Sequence, residues 1–184
     1  VAIAWGPDQT AVFVMREARD RRALYAWLCA ALRARSTLLG FTALFDLLYQ
    51  RASLPAARRV TRPPLRLWDT QITSYLQNEQ RPERSLKTLA PLFGVTRYDV
   101  DLRGGQRFSS DYDPLLHRYN AQDAWTTLRL HELIAVRIPQ EYPNTAKLSP
   151  DCYAWYNDLL WSVLNMSEQG VTYSKARLSA LALA

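Results

Sequence analysis

A chain of 184 residues, 48% hydrophobic and 22% charged, can bury a real core; it carries no low-complexity tract, which argues against disorder. No apolar run approaches membrane-span length and no signal peptide opens the chain. Its two cysteines, Cys29 and Cys152, lack metal-ligand spacing and read as thiols of a reducing compartment. The formal charge of +6 is compatible with a nucleic-acid partner without requiring one, and the start at Val1 rather than Met hints at a fragment.

Two short β-prone runs, residues 1–5 and 11–15, flank Gly6-Pro7-Asp8-Gln9-Thr10 and predict a hairpin with a longer turn. Asp20 is placed to cap a helix reaching about Ala34, with Leu24, Trp27, Leu28, Ala31 and Leu32 on its apolar face. Residues 37–41 read as a buried strand, followed directly by a helix over 42–51. The three prolines and several arginines of residues 54–64 predict a surface connection. Another brief strand occupies 65–68. Asp69 then starts a helix to about Leu76, and Ser85 caps a second that ends at Phe93-Gly94.

Residues 95–110 are polar and irregular, with Gly104-Gly105 as a flexible point. A long helix follows from Asp113-Pro114 to Val136, with proline at its first position. Pro139, Pro143 and Pro150 then break the chain and read as a boundary. Asp151 begins a helix through about Ser167, Gly170 ends it, and residues 173–184 start a further element. Strands with intervening helices predict an α/β layered domain over residues 1–137.

The arginines form two groups. Arg16, Arg19, Arg21, Arg22, Arg33 and Arg35 are equally well read as a solvated helix face or a nucleic-acid contact. Arg51, Arg58, Arg59, Arg62 and Arg66 surround the Pro-rich segment, where phosphate contact is the better reading.

Two carboxylates break the hydrophobic pattern. On the long helix, Leu116, Tyr119, Asp123, Thr127 and Leu130 fall on one stripe, because residues three and four apart lie above one another. A carboxylate in such a stripe must be paired, neutralised or metal-bound, since burying it bare costs several kcal/mol or more. Asp46 sits in Phe41-Thr-Ala-Leu-Phe-Asp-Leu-Leu-Tyr49, with apolar side chains nearly all round the helix. Taken singly, each residue has a plain reading: Asp46 caps a backbone group or pairs an arginine, Asp123 is exposed, and Tyr119 packs. Together, two carboxylates with a tyrosine one turn from one of them suit a divalent-metal phosphodiesterase. Hard Mg²⁺ or Mn²⁺ takes few protein carboxylates plus phosphate and water. His117 and His131 have no spacing that pairs them as ligands, so surface or cap roles fit them better.

These segments carry a resemblance. Tyr119-x-x-x-Asp123 followed by Thr-Leu-Arg-Leu resembles the third exonuclease motif of the 3′–5′ proofreading domain in family A DNA polymerases, the bacterial DNA polymerase I and phage type. Leu39-Gly-Phe-Thr-Ala-Leu-Phe-Asp46 is similar to the second motif, Gly-His-Asn-x-x-Phe-Asp. Trp68-Asp-Thr-Gln-Ile-Thr-Ser-Tyr-Leu76 and Ser85-Leu-Lys-Thr-Leu89 are similar to the family's Asp-Thr-x-x-x-x-Tyr-Leu and Ser-Leu-x-x-Leu signatures. The order is the family's, over residues 37–137. The run from Leu160 to Tyr173, followed by Leu178, resembles the passage into a polymerase thumb.

The resemblance implies a ribonuclease H-like α/β fold, with a mixed sheet flanked by helices. It divides the chain into an exonuclease domain at 1–138 and, at 139–184, a linker with the helical start of a polymerase domain. The implied activity is metal-dependent removal of mismatched 3′ nucleotides from DNA. Asp46 and Asp123 hold Mg²⁺ or Mn²⁺ in a two-metal site, Tyr119 orients the attacking water, and Phe41 and Thr42 contact substrate. The implied partners are a single-stranded 3′ end or primer-template and a polymerase domain in the same parent chain, in the cytoplasm of a bacterial or phage-infected cell. Two departures stand out. No Asp-x-Glu, the family's first motif, precedes Val1-Ala-Ile-Ala, which resembles the second strand; the chain is therefore expected to lack its first strand and to be a poor enzyme alone. Phe41 and Thr42 also replace the family's His and Asn. The alternatives are a non-catalytic exonuclease-like scaffold or DNA-binding domain of a polymerase, and an RNA exonuclease of the ribonuclease D type.

Overall fold

The computed structural model describes residues 1–6, 9–14, 16–33, 37–53, 66–81, 84–95, 113–141 and 150–170. The fold is mixed α/β, with two small sheets flanked by helices. Strands β1 (Ala2–Gly6) and β2 (Gln9–Val12) pair antiparallel, with Ala2 opposite Val12 and a register slip between Ala4 and Gly6. Pro7 and Asp8 of the predicted turn, and Met15, lie outside the described residues.

Helix α1 (Ala18–Arg33) begins two residues before Asp20, so Asp20 does not cap it as expected. Instead its carboxylate reaches back from the first turn and accepts from the backbone N–H groups of Arg16 (3.0 Å) and Glu17 (2.9 Å). Negative charge at this end also suits the helix dipole. Leu24 and Leu28 are buried, and Trp27 meets the rings of Trp5 (5.9 Å) and Phe13 (6.1 Å), which docks α1 on the hairpin region. The side chains of Ala31 and Leu32 lie outside the described residues.

Strand β3 (Thr37–Gly40) leads into helix α2 (Ala43–Ser53), and β4 (Arg66–Asp69) leads into α3 (Thr70–Gln77). The strands pair in parallel with Gly40 opposite Asp69, so both helices start at the same end of this sheet. Gly40 is required by close approach: a Cβ there would lie 2.6 Å from the Ala43 Cβ. Asp69 is the cap of α3. One carboxylate oxygen accepts from Gln71 N–H (2.8 Å) and Ile72 N–H (3.2 Å), and the other accepts from Ala43 N–H (2.7 Å) at the start of α2.

Ser85 caps α4 (Leu86–Leu92), accepting from Thr88 N–H, and Gly94 follows at φ 71°. Helix α5 (Pro114–Glu141) opens with Asp113 accepting from Leu115 N–H (2.9 Å). It runs through Pro139, past the predicted stop at Val136. A proline near a helix end forfeits a single ladder bond, and the following residues still complete the turn. Helix α6 (Pro150–Gln169) ends at Gly170, whose φ of 68° and N–H bond to Met166 (2.9 Å) close it. The predicted connection at 54–64, the irregular stretch from 96 to 110, Arg35, Arg58, Arg59 and Arg62, and residues 173–184 lie outside the described residues.

Helix α5 crosses the molecule, packing on β1, β2, β3, α3 and α4, while α6 packs on β4, α2 and α3. The core accordingly has two parts. Ala43, Leu47, Leu67, Leu160, Trp161 and Leu164 join α2, β4 and α6. Leu89, Ala90, Phe93, Val95, Leu130 and Ile134 join α4 to α5. Thus α6, beyond the proline cluster, shares a core with α2 and β4. Arg51 is corrected by the same packing. It is not a loop residue open to phosphate but lies in the last turn of α2, 5% exposed, paired with Glu168 (2.9 Å) and stacked over Trp161 (5.7 Å). Arg16, Arg19, Arg21 and Arg22 are exposed, as on a solvated face, and so is Arg66.

Replacing Asp69 with alanine orphans three backbone N–H groups at two helix starts. A buried unmet donor costs about 1–3 kcal/mol, so Asp69→Ala is expected to lower unfolding free energy by roughly 2–4 kcal/mol. Urea denaturation measures this, and a loss below about 1 kcal/mol would show that the carboxylate does not organise the corner.

Candidate functional site

A cavity of about 1270 Å³ opens between the two sheets. Strands β1 and β3 line it, together with residues of α1 and α2, Gln71 of α3, the start of α4 and the N-terminal half of α5. Among the described residues neither β1 nor β3 has a second strand partner, although both border this space.

Every sequence-predicted site residue lines the cavity: Phe41, Thr42, Asp46, Tyr119 and Asp123. Asp46 arrives one turn into α2, behind the Gly40 corner. Tyr119 and Asp123 arrive from α5, four residues apart and therefore on one face. The predicted stripe continues from them into the protein. Thr127 also borders the cavity, its hydroxyl donating to the Asp123 carbonyl (2.8 Å), and Leu130 is buried in the core.

The carboxylates feel one another. The Asp46 residue is exposed overall, yet its carboxyl faces the concave wall. Burial there, then the charges of Asp69 and Asp123, push its pKa from 3.8 up to about 6. Burial also raises Asp69, against the lowering effect of backbone hydrogen bonds from Ala43, Ile72, Gln71 and Thr42. The Tyr119 hydroxyl is raised by burial, then by the Asp123 charge and by the hydrogen bond it donates to that carboxylate.

Thr42 is placed under strain. Its φ is 63°, in the left-handed region that a β-branched residue rarely enters. The conformation turns the chain from β3 into α2, and the hydroxyl donates to Gln71 Oε1 (3.3 Å). Phe41 is half-buried and packs against the α4–α5 core. The histidines stand apart from the carboxylates' cavity wall. His131 lies edge-on to Trp68 (5.5 Å), its pKa lowered by burial, and His117 is not among the lining residues.

Several features escape sequence reasoning. Asp69 is legible as a helix cap but not as a third charge acting on Asp46. Gln50, one turn beyond Asp46, lines the cavity, and its Oε1 is buried with no hydrogen-bond partner among the described residues. Lys87 lines it too, its Nζ 5.1 Å from the Tyr119 ring centroid. The Ser-Leu-x-x-Leu pattern marks the helix on which Lys87 sits but says nothing of its side chain.

Among the described residues, no group of three or more His, Cys, Asp or Glu side chains is gathered closely enough to hold a metal ion. Asp46 and Asp123 alone supply a hard-oxygen pair, and Gln50 leaves a buried oxygen unsatisfied nearby. Such a pair fits a divalent cation whose other ligands are water and phosphate. No helix among the described residues is long and apolar enough to cross a membrane. Comparison with family models, with curated proteins and with solved structures gives no match.

Two outcomes follow from this geometry. Asparagine accepts left-handed backbone more readily than threonine, so Thr42→Asn is expected to stabilise the fold by about 1 kcal/mol; a fall in the urea midpoint would refute strain at this corner. Because folding raises the Asp46 pKa, the folded chain retains a proton that the unfolded chain releases. Stability therefore falls as pH rises from 3.8 to about 6 and levels off above. Asp46→Asn removes this residue's share of the decline, as denaturation at pH 4 and pH 7 measures; an unchanged decline would contradict the assignment.

Proposed function

We propose that this chain carries part of a 3′–5′ exonuclease site that removes terminal nucleotides from DNA, in the manner of the proofreading domain of family A DNA polymerases. The observation that carries the reading is the meeting of Asp46, Asp123 and Tyr119 at one cavity, from two helices far apart in sequence. The electrostatic strain on Asp46 adds support, since perturbed carboxyls gather at functional sites. The mixed α/β arrangement is compatible with a ribonuclease H-like fold, and an Asp-x-Glu strand laid between β1 and β3 would complete such a sheet.

Asp46 and Asp123 would hold Mg²⁺ or Mn²⁺, which when bound supplies an activated water and stabilises the leaving oxygen. The residues of the chain perform the rest. Tyr119, held by Asp123, presents its hydroxyl oxygen to orient water. Phe41 and Thr42 border the space that the terminal nucleotide would enter. The parent protein would be a polymerase acting on a primer terminus in the cytoplasm of a bacterial or phage-infected cell.

The test compares the 184-residue chain with the same chain bearing an Asp-x-Glu strand ahead of Val1, on 3′-labelled single-stranded DNA with Mg²⁺. Release of nucleoside monophosphate is expected from the longer chain alone, falling by about a hundredfold or more in Asp46→Asn and Asp123→Asn. Release that survives both substitutions would refute the site, and equal release from both chains would refute the need for the strand. RNA in place of DNA separates the ribonuclease D-like alternative.

A further inference from the structure

The cavity poses an electrostatic difficulty for the substrate proposed above. Its wall carries the carboxylates of Asp46 and Asp123, with Asp69 close enough to act on Asp46, while nucleic acid is a polyanion. Beside these carboxylates, the part of a nucleotide that can be held without opposing charge is its base, which is neutral and has an aromatic face. Helix α2 supplies a matching surface. It packs into the protein through Ala43, Leu47 and Arg51. Tyr49, three residues after Asp46 and so its neighbour on the helix surface, borders the cavity yet is 58% exposed, which places it at the rim. An exposed tyrosine is ordinary on a protein surface. Tyr49 is set apart by its place: core packing does not account for the ring, ring surface is open to a ligand, and the Asp46 carboxylate is one turn away on the same helix.

We propose that Tyr49 is a substrate-binding residue at the rim of this cavity, its ring stacking on a base of a single-stranded nucleic acid whose terminus reaches Asp46 and Asp123. The proposal rests on the reading of the cavity as a nuclease site. Stacking takes any base, because every base has a π face, so Tyr49 contributes affinity without sequence preference. It neutralises no phosphate, so its share of the affinity does not depend on salt as a phosphate contact does. Removing one stacking ring weakens single-strand binding by about fivefold at the low end of the range for such contacts. Leucine at this position keeps apolar bulk and helix propensity but has no aromatic face, whereas phenylalanine keeps the ring and loses only the hydroxyl. The two substitutions together isolate the stacking surface.

The experiment measures binding of fluorescent oligothymidylate, and of an abasic strand of the same length, to the full 184-residue chain by anisotropy, in EDTA, across a salt series. It compares the wild type with Tyr49→Leu, Tyr49→Phe and, as a control, Trp155→Leu, which alters an exposed aromatic of α6 outside the cavity lining. Circular dichroism verifies the fold of each variant. Tyr49→Leu is expected to bind oligothymidylate about fivefold more weakly with an unchanged salt slope, and to bind the abasic strand as the wild type does. Tyr49→Phe and Trp155→Leu are expected to match the wild type on both strands. If Tyr49→Leu binds oligothymidylate as well as the wild type, or loses the same factor on both strands, the assignment of Tyr49 is overturned while the nuclease reading stands. If the wild type binds neither strand, the nuclease reading falls and takes this inference with it.

Discussion

The buried carboxylate of Asp69 is the constraint on which the rest of the structure depends. It accepts from the first N–H of α2 and from two N–H groups of α3, so one side chain fixes two helix starts against one parallel strand pair. The backbone N–H of the same residue donates to Asn157 of α6, whose amide in turn donates to the Tyr153 carbonyl (2.7 Å). Only a carboxylate can do this. Both oxygens are acceptors, whereas an asparagine in the same pose would set an N–H₂ against one of the backbone donors. Asp46 lies three residues beyond the bonded Ala43 N–H, so the position of the candidate site residue follows from this cap.

The same arrangement sets the electrostatics. In its charged form Asp69 serves its donors best, and that charge weighs on Asp46, to which Asp123 adds from α5. Three carboxyls near one concave wall cannot all be comfortable in the ionised form. A proton relieves Asp46 below about pH 6. The strained φ of Thr42 lies beside this cluster, at the turn that aims α2. Strain and repulsion thus coincide with the residues singled out for chemistry, where local rules are most often broken.

Much of this was legible in sequence where the deciding partner is a neighbour. The caps at Asp69 and Ser85, the stop at Gly170 and the shared face of Tyr119 and Asp123 all follow from residues within one turn. The errors have the opposite character. Arg51 looked like a loop arginine because its partner, Glu168, lies 117 residues away. Sequence also does not reveal that Leu160, Trp161 and Leu164, beyond the proline cluster, complete the core under α2. Asp20 missed its role by two residues, since an acid in the first turn can serve the helix start from inside it as well as from outside.

The cavity ties these threads to the sheet. A strand edge presents unpaired N–H and C=O groups, which proteins ordinarily cover, blunt or pair. Here β1 and β3 each have one strand partner among the described residues, and both line the space that holds Asp46 and Asp123. An extended segment entering that space would find a ladder on either side, and its alternate side chains would point toward the helices of α2 and α5. Acidic residues two apart on such a segment would share one face, because side chains alternate along a strand. The spacing Asp-x-Glu would then bring two more carboxylates toward Asp46 and Asp123, making a group of two carboxylates into one of four. In that geometry a paired strand edge and a larger set of carboxylates would be the same feature, seen first as backbone and then as charge.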